Sequence, residues 1–422
     1  MKNHHRITVL LLFICLMFSR SMLIAQDARV PGDDAIKVPL GVEARDGKLV
    51  FEAKDTSFQW WFDSRIQIDG AKYFENKNPL SDGTIMRKVT FAMKSILWKN
   101  WQAEVDVDFG EAVLDLRDAF IQYNFPTVDL SLKIGNFKEP FGLDELISSR
   151  LLTFMERSSV SNAIALGRRV GFSANYWTNY GQATIGIFGH EVGTRIDKGT
   201  DDEGYSANVR LTVAPINKHG KNLHIGVAAS YKTPDAATGA PLNSLEVKSR
   251  TETYVFDPKL LHTGTITDIN YWNRFSGELM GIYGPFYIQA EYLGMSITRW
   301  YGNPKVNLGG GYGLLSWIVT GETRDYFVDE GESGPIEQPR HSWGALELAA
   351  RYSVTDLNDP SANITGGKAN ILTLGVNYYP VQTIKMMLNY AIVKLDQYAD
   401  HNGKLIGGDD HSFVQIRFQA SL

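Results

Sequence analysis

Residues 58–70 read FQWWFDSRIQIDG. Phe58, Trp60, Phe62, Ile66 and Ile68 alternate with Gln59, Asp63, Arg65, Gln67 and Asp69, and only Trp61 and Ser64 break the pattern. A period of two with one apolar and one strongly polar face is a β-strand that meets a different solvent on each side. Trp101, Ala103, Val105, Val107 and Phe109 repeat it against Gln102, Glu104, Asp106 and Asp108. So do Val128, Leu130, Leu132 and Ile134 against Asp129, Ser131 and Lys133.

Outward from these segments, about 16 strands are expected, many of about ten residues or more, the length a tilted strand needs to cross a bilayer core. Leu245 to Phe256 is an ambiguous seventeenth. Tight connections (Lys99-Asn100, Pro126-Thr127, Gly284-Pro285, Pro380-Val381) are interspersed with long polar ones (Gly302 to Gly310, Asp325 to His341, Tyr398 to Asp410). Short turns at one end and long loops at the other are expected of an outer-membrane barrel. Aromatic residues gather at strand ends, including Trp98 and Trp101, Tyr123 and Phe125, Tyr283 with Phe286 and Tyr287, Trp300 and Tyr301, and Tyr378 and Tyr379. Barrels carry aromatic girdles at both membrane interfaces. The expected fold class is therefore all-β: a transmembrane antiparallel β-barrel over residues 58–422.

The first 25 residues carry Lys2, His4, His5 and Arg6 ahead of the apolar run Ile7 to Phe18, with Ala25 before Gln26. This reads as an export signal over residues 1–25. A run of about twelve residues is short of the roughly 20 a spanning helix needs. Beyond it no stretch of 18 apolar residues occurs, so crossing by helices is excluded on length. Residues 26–57 read as a polar leader. Cys15 is the only cysteine, so no disulfide framework is available. The 42 basic residues, less Lys2, Arg6 and Arg20, leave 39 against 47 acidic ones, a balance of −8 that offers nothing to nucleic acid.

Catalytic motifs are absent: there is no G-x-S-x-G, no phosphate-binding loop of Walker type and no H-E-x-x-H. His190-Glu191 continues as Val192-Gly193-Thr194, without a second zinc histidine. Asp106, Asp108 and Glu111 are spaced as in part of a calcium loop, but strand alternation explains the spacing equally well, and Gln102 and Glu104 extend that series. No enzyme, cofactor or metal is expected.

One excursion between strands stands out. Ala119 to Phe125 and Val128 to Ile134 read as a hairpin joined by Pro126-Thr127. Leu143, Leu146, Ile147, Arg150, Leu151 and Phe154 then recur at three- and four-residue spacing, which predicts a short amphipathic helix over Leu143 to Arg157. The excursion carries Lys138, Arg150, Arg157, Arg168 and Arg169. Folded into an aqueous lumen, residues 138–169 would narrow it, and charged side chains at a narrowing set selectivity. Arg150 and Arg157 could instead pair with Glu145 and Glu156 and pin the loop. On the wall, Arg65, Lys88 and Lys94 share the polar side with Glu104, Asp106 and Asp108, so their charges can offset one another.

The segments FKEPFGLDELISSRLLTFMERS and ALGRRVG, preceded by FQWWFDSRIQIDGAKYF and LRDAFIQYNF and followed by GPFYIQAEY, WIVTGETRDY and WGALELAARYS, resemble the phosphate-selective porin O and P family. The resemblance spans residues 47–422. It implies a 16-stranded outer-membrane barrel, a homotrimer, an inward-folded loop that narrows the pore, and basic residues in the bore that bind phosphate or polyphosphate. Matching the family's loop motif are Lys138, Glu139, Pro140, Phe141, Arg150, Phe154, Glu156, Arg157, Arg168 and Arg169.

The expected function is passive diffusion of small solutes, anions such as phosphate among them, across the outer membrane of a Gram-negative envelope. Candidate solute contacts are Lys138, Arg150, Arg157, Arg168, Arg169, Arg65 and Lys94, and the expected partners are outer-membrane lipid and small anions. The alternative is a barrel with a closed or narrow pore that binds partners at the surface through its long loops.

Overall fold

The structure, a computed structural model, describes residues 40–45, 48–193, 203–235, 241, 243–255 and 258–421. The expected export signal lies outside the described residues.

Sixteen antiparallel strands close on themselves. An N-terminal hairpin (β1, Leu40–Arg45; β2, Lys48–Ala53) leads into β3 (Phe58–Phe74), β4 (Gly83–Leu97), β5 (Trp101–Asp108), β6 (Asp115–Asn124), β7 (Leu130–Lys138) and β8 (Arg168–Thr178). The wall continues through β9 (Gly181–Phe188), β10 (Ser206–Lys218) and β11 (Lys221–Lys232). An accessory hairpin follows (β12, Leu245–Ser249; β13, Leu261–Ile266), so the ambiguous segment at 245–256 is not a wall strand. The wall resumes with β14 (Ile269–Tyr283), β15 (Phe286–Arg299) and β16 (Val306–Ile318). A second accessory hairpin (β17, Arg324–Phe327; β18, Glu332–Ile336) precedes β19 (Ala345–Asp359), β20 (Ile364–Val381), β21 (Ile384–Leu395) and β22 (His411–Ser421).

Closure comes from β22 pairing with β3, from Ser412 opposite Phe74 to Ser421 opposite Arg65. Below that point the same edge of β3 is taken by β2, with Val50 opposite Trp61 and Glu52 opposite Gln59. Part of the polar leader is thus built into the wall, because the edge of β3 below Arg65 offers unpaired backbone groups that β2 satisfies.

Alternation holds around the wall. On β11, Ile225, Val227 and Ala229 are exposed while His224, Gly226, Ala228 and Ser230 are buried. On β22, Ile416 and Phe418 face out and Gln415, Arg417 and Gln419 face in. Tyr378 and Tyr379 split in the same way: Tyr379 is buried and bonds Glu347, so it does not belong to a girdle, and neither does the buried Tyr287. Trp98, Tyr283, Trp300 and Tyr301 are exposed at strand ends, as a girdle requires.

The tight turns share one end of the barrel. The long connection Asp325 to His341 also belongs to that end, because it joins β16 to β19 and holds the hairpin β17–β18. This corrects its expected place among the loops of the opposite end. A polar composition does not distinguish a loop in bulk water from a hairpin inside a wet lumen.

Candidate functional site

The chain leaves the wall after Lys138 and returns at Arg168, which are register partners on β7 and β8, as are Phe137 and Arg169. Arg168 and Arg169 are therefore wall residues at the base of the excursion, not part of the inward loop. Entry turns on Gly142, whose φ of +83° suits glycine. Beyond it lie two short helices, α1 (Leu143–Leu146) and α2 (Ser159–Ile164).

The loop crosses the lumen and is fastened to the opposite wall. Glu139, fully buried, pairs with Arg274 of β14 and accepts from Ser206 at 2.7 Å. Burial would raise the Glu139 carboxyl, but Arg274 and Arg169 hold it below the usual range. Glu291 of β15 accepts the Leu143 and Asp144 amides at 2.8 and 3.2 Å. Lys385 donates to the Leu152 carbonyl at 2.6 Å and Asn377 to the Thr153 carbonyl at 2.8 Å. Glu156 receives Arg87 at 2.8 Å and Arg417 at 2.6 Å. Burial pushes the Glu156 carboxyl up, and these two guanidinium groups outweigh it, holding it at about 2.

The predicted helix over Leu143 to Arg157 does not form as one element. Of the predicted apolar series Leu143, Ile147 and Phe154 are buried and Leu146 and Leu151 only half-buried, while Leu152, outside the series, is buried; the chain has only one helical turn before Ile147. Lys138 donates to the carbonyls of Glu145, Leu146 and Ile147, and Arg157 to those of Asp144, Glu145 and Ile147. These are the acceptors that a continuing helix would have used four residues on. Two half-buried cations take the place of the next helical turn.

The predicted site residues thus divide. Arg150, with 31% of its side chain exposed, reaches Asp63 of β3 at 2.9 Å and faces the lumen. Arg65 donates to the Ser149 hydroxyl at 2.8 Å and Lys94 lies between Asp63 and Glu104 at 3.5 and 3.3 Å; both line the lumen. Arg168 pairs with Asp118 at 2.5 Å on the same surface. Lys138 and Arg157 also border it, but their donors are turned into the loop, and Arg157 pairs with Glu145 at 3.1 Å. Arg169 bonds Gly189 and Asp235 away from that lining. Of the pinning pairs the sequence suggested, Arg157 with Glu145 forms, whereas Arg150 takes Asp63 and Glu156 takes Arg87 and Arg417.

The hairpin β17–β18 enters the lumen from the opposite end. Arg324 bonds Glu347 at 2.5 Å and reaches Thr153 of the inward loop at 3.2 Å. Tyr326 bonds His224, and the backbone carbonyls of Glu330 and Gly331 accept from Arg210 at 2.9 and 2.8 Å. Loop and hairpin together fill the side of the lumen bounded by β11 to β22. Beside them lies an eccentric cavity of about 720 Å³ along β3 to β10.

Among the described residues, nine cationic side chains and eight carboxylates line this cavity. Lys133 of β7 is one that sequence reasoning did not single out. Its Nζ lies 4.4 Å from the centre of the Phe120 ring and 5.4 Å from that of Phe137, with no carboxylate partner among the described residues. Arg65 likewise has only a hydroxyl partner, and its Nε is buried without one. The inward parity of Lys133 was legible, but nothing in the sequence says which lysine lacks an acid across the strand.

The family described as phosphate-selective porin O and P matches residues 62–421. Porin O of Pseudomonas aeruginosa is 23% identical over 393 residues, covering 85% of this chain and 88% of that one. Among solved structures, the outer membrane channel DcaP of Acinetobacter baumannii is similar at 11% identity and a TM-score of 0.55, covering 88% of this chain and 99% of that chain. The trimer form of OmpT, an outer membrane protein of Vibrio cholerae, is similar at 8% identity and a TM-score of 0.53, covering 87% and 100%.

Proposed function

The chain belongs to the phosphate-selective porin O and P family, and from that premise we propose that it passes small anions such as phosphate by diffusion through the eccentric cavity beside the inward loop. Membership makes it a porin, with its place in the outer membrane. The preference for anions, the homotrimer, the export signal over residues 1–25 and the role of residues 138–169 as the constriction are the finer parts of the proposal.

The observation that carries it is the position of Arg65 and Lys133. Both line the cavity beside a loop that has consumed much of the cross-section, and neither is neutralised by a carboxylate at contact distance. A cation in a narrow aqueous passage raises the local concentration of anions. Arg150 and Arg168 stand on the same surface, and a phosphate oxygen is an acceptor of the same kind as the carboxylates they hold. Lys138 and Arg157 serve the reading indirectly, by holding the loop in place. The trimer form of the Vibrio cholerae protein supports the same assembly for this fold.

The test is planar-bilayer conductance of the folded protein under a salt gradient, with phosphate added against a chloride current. Stepwise, anion-selective conductance blocked by phosphate is expected; conductance without block would reduce the reading to a general porin. One observation favours the second reading, a closed or narrow barrel that binds partners at its surface: loop and hairpin meet through Arg324 and Thr153 across the lumen. Liposome swelling decides between the two, since a closed barrel admits no solute.

A further inference from the structure

Between β5 and β6 the register slips: Val105 stands opposite Ala119 and Val107 opposite Leu116, so Arg117 and Asp118 together face Asp106. A β-bulge of this kind re-aims side chains, and here it brings a carboxylate of β6 beside two of β5. Glu104, Asp106 and Asp118 each present one oxygen, and the three lie within 4.8 Å of one another on the cavity wall.

Two of the three are partnered. Glu104 has Lys94 at 3.3 Å and Asp118 has Arg168 at 2.5 Å. Asp106 differs: the residue is only 7% exposed, and its Oδ1 is buried with no hydrogen-bond partner among the described residues. A buried carboxylate oxygen without a donor is costly unless something outside the chain supplies the missing contact.

We propose that Glu104, Asp106 and Asp118 form a binding site for a hard divalent cation on the wall of the lumen. Calcium is the ion we assign: oxygens bound at about 2.3–2.6 Å stand up to about 5 Å apart across the ion, which accommodates three oxygens within 4.8 Å of one another, and calcium accepts irregular geometry where magnesium demands a near-ideal octahedron. The remaining positions of a six- to eight-coordinate ion are open to lumen water. Lys94 and Arg168 compete with the ion for Glu104 and Asp118; binding frees Arg168 toward the passage and leaves Lys94 to Asp63, at 3.5 Å. A bound cation thereby adds its own charge to this stretch of wall and turns the charge of Arg168 toward the passage.

Titration calorimetry with CaCl₂ on the detergent-solubilised full-length barrel, refolded free of lipopolysaccharide and stripped with EGTA, tests this independently of any transport. One calcium per chain is expected to depend on Asp106, with Asp106→Asn weakening that event at least tenfold. Lys94→Gln is expected to tighten it, because it removes a competitor without touching a ligand. Wild type and Asp106→Asn binding calcium with equal number and affinity, or wild type binding none, would overturn the site. Should Asp106→Asn fail to acquire the folded barrel's electrophoretic mobility, Glu104→Gln makes the same test at a second ligand.

Discussion

Arg417 on β22 and Glu156 in the inward loop are 261 residues apart in sequence and 2.6 Å apart in space. Arg87 of β4 holds the same carboxylate from the other side. Removing Glu156 would leave the half-buried Arg87 and the buried Arg417 guanidinium groups facing each other, with Asp69 and the Met155 carbonyl to serve Arg417. Breaking a buried pair by deleting one member costs about 3–5 kcal/mol. Glu156→Ala is expected to lower the temperature at which the folded barrel loses its compact mobility in gels, and to make the open-channel current noisier. An unchanged transition temperature would show that the latch contributes nothing.

The same carboxylate sets an acid limit. Its folded value of about 2 lies below the ordinary 4.5, so its contribution is fully present above pH 4.5 and is lost as pH falls through 2. The transition temperature of the wild type should therefore decline between pH 4.5 and 2. In Glu156→Gln, which has no proton to take up, this part of the decline should vanish. Parallel pH profiles for the two proteins would remove Glu156 from the account.

Lys133 separates ion selection from loop architecture, since among the described residues it makes no hydrogen bond to the loop's backbone. Neutralising one charge that is worth about 0.5–1 kcal/mol to a passing ion changes its permeability about two- to fivefold. Lys133→Gln should lower the anion-to-cation ratio by that factor without lowering the transition temperature. Arg157→Gln should do the reverse, because the Arg157 guanidinium lies against three loop carbonyls. Equal reversal potentials for wild type and Lys133→Gln would contradict the selectivity assigned to that lysine.

The hairpin entering between β16 and β19 occupies lumen that would otherwise conduct. Replacing residues 326–334 by a short turn, with Arg324 retained for Glu347, should raise the single-channel conductance by a factor on the order of two. Equal conductance steps would mean that the hairpin lies off the conducting path.

Alternation on a strand such as β3 exposes the fold in the sequence, because each of its faces meets a single kind of solvent. The loop helix was overpredicted for a reason the sequence hides: Lys138 and Arg157 are ordinary helix formers by propensity, and only the folded lumen shows them spending their donors on the loop's own carbonyls. Arg87 and Arg417 sit at inward positions among many polar residues, so their role depends on which strand the closed wall places beneath Glu156. The bulge at Asp106 is invisible for the same reason. It is a mismatch between two strands, and neither strand carries it alone.

The seam at β3 has a consequence for how the molecule is made. Gln67 and Gln419 bond across it at 2.6 Å over a separation of 352 residues. Chain-closure entropy for such a span is of order 5 kcal/mol and yields no reward until the register is found, which makes the step slow relative to hairpin formation. Because β2 occupies the lower edge of β3, the arriving strand meets a stop at Arg65 and loses every register that slides past it. Substitutions along this seam should therefore appear first as delayed assembly, at a rate set by a search that the N-terminal hairpin has shortened.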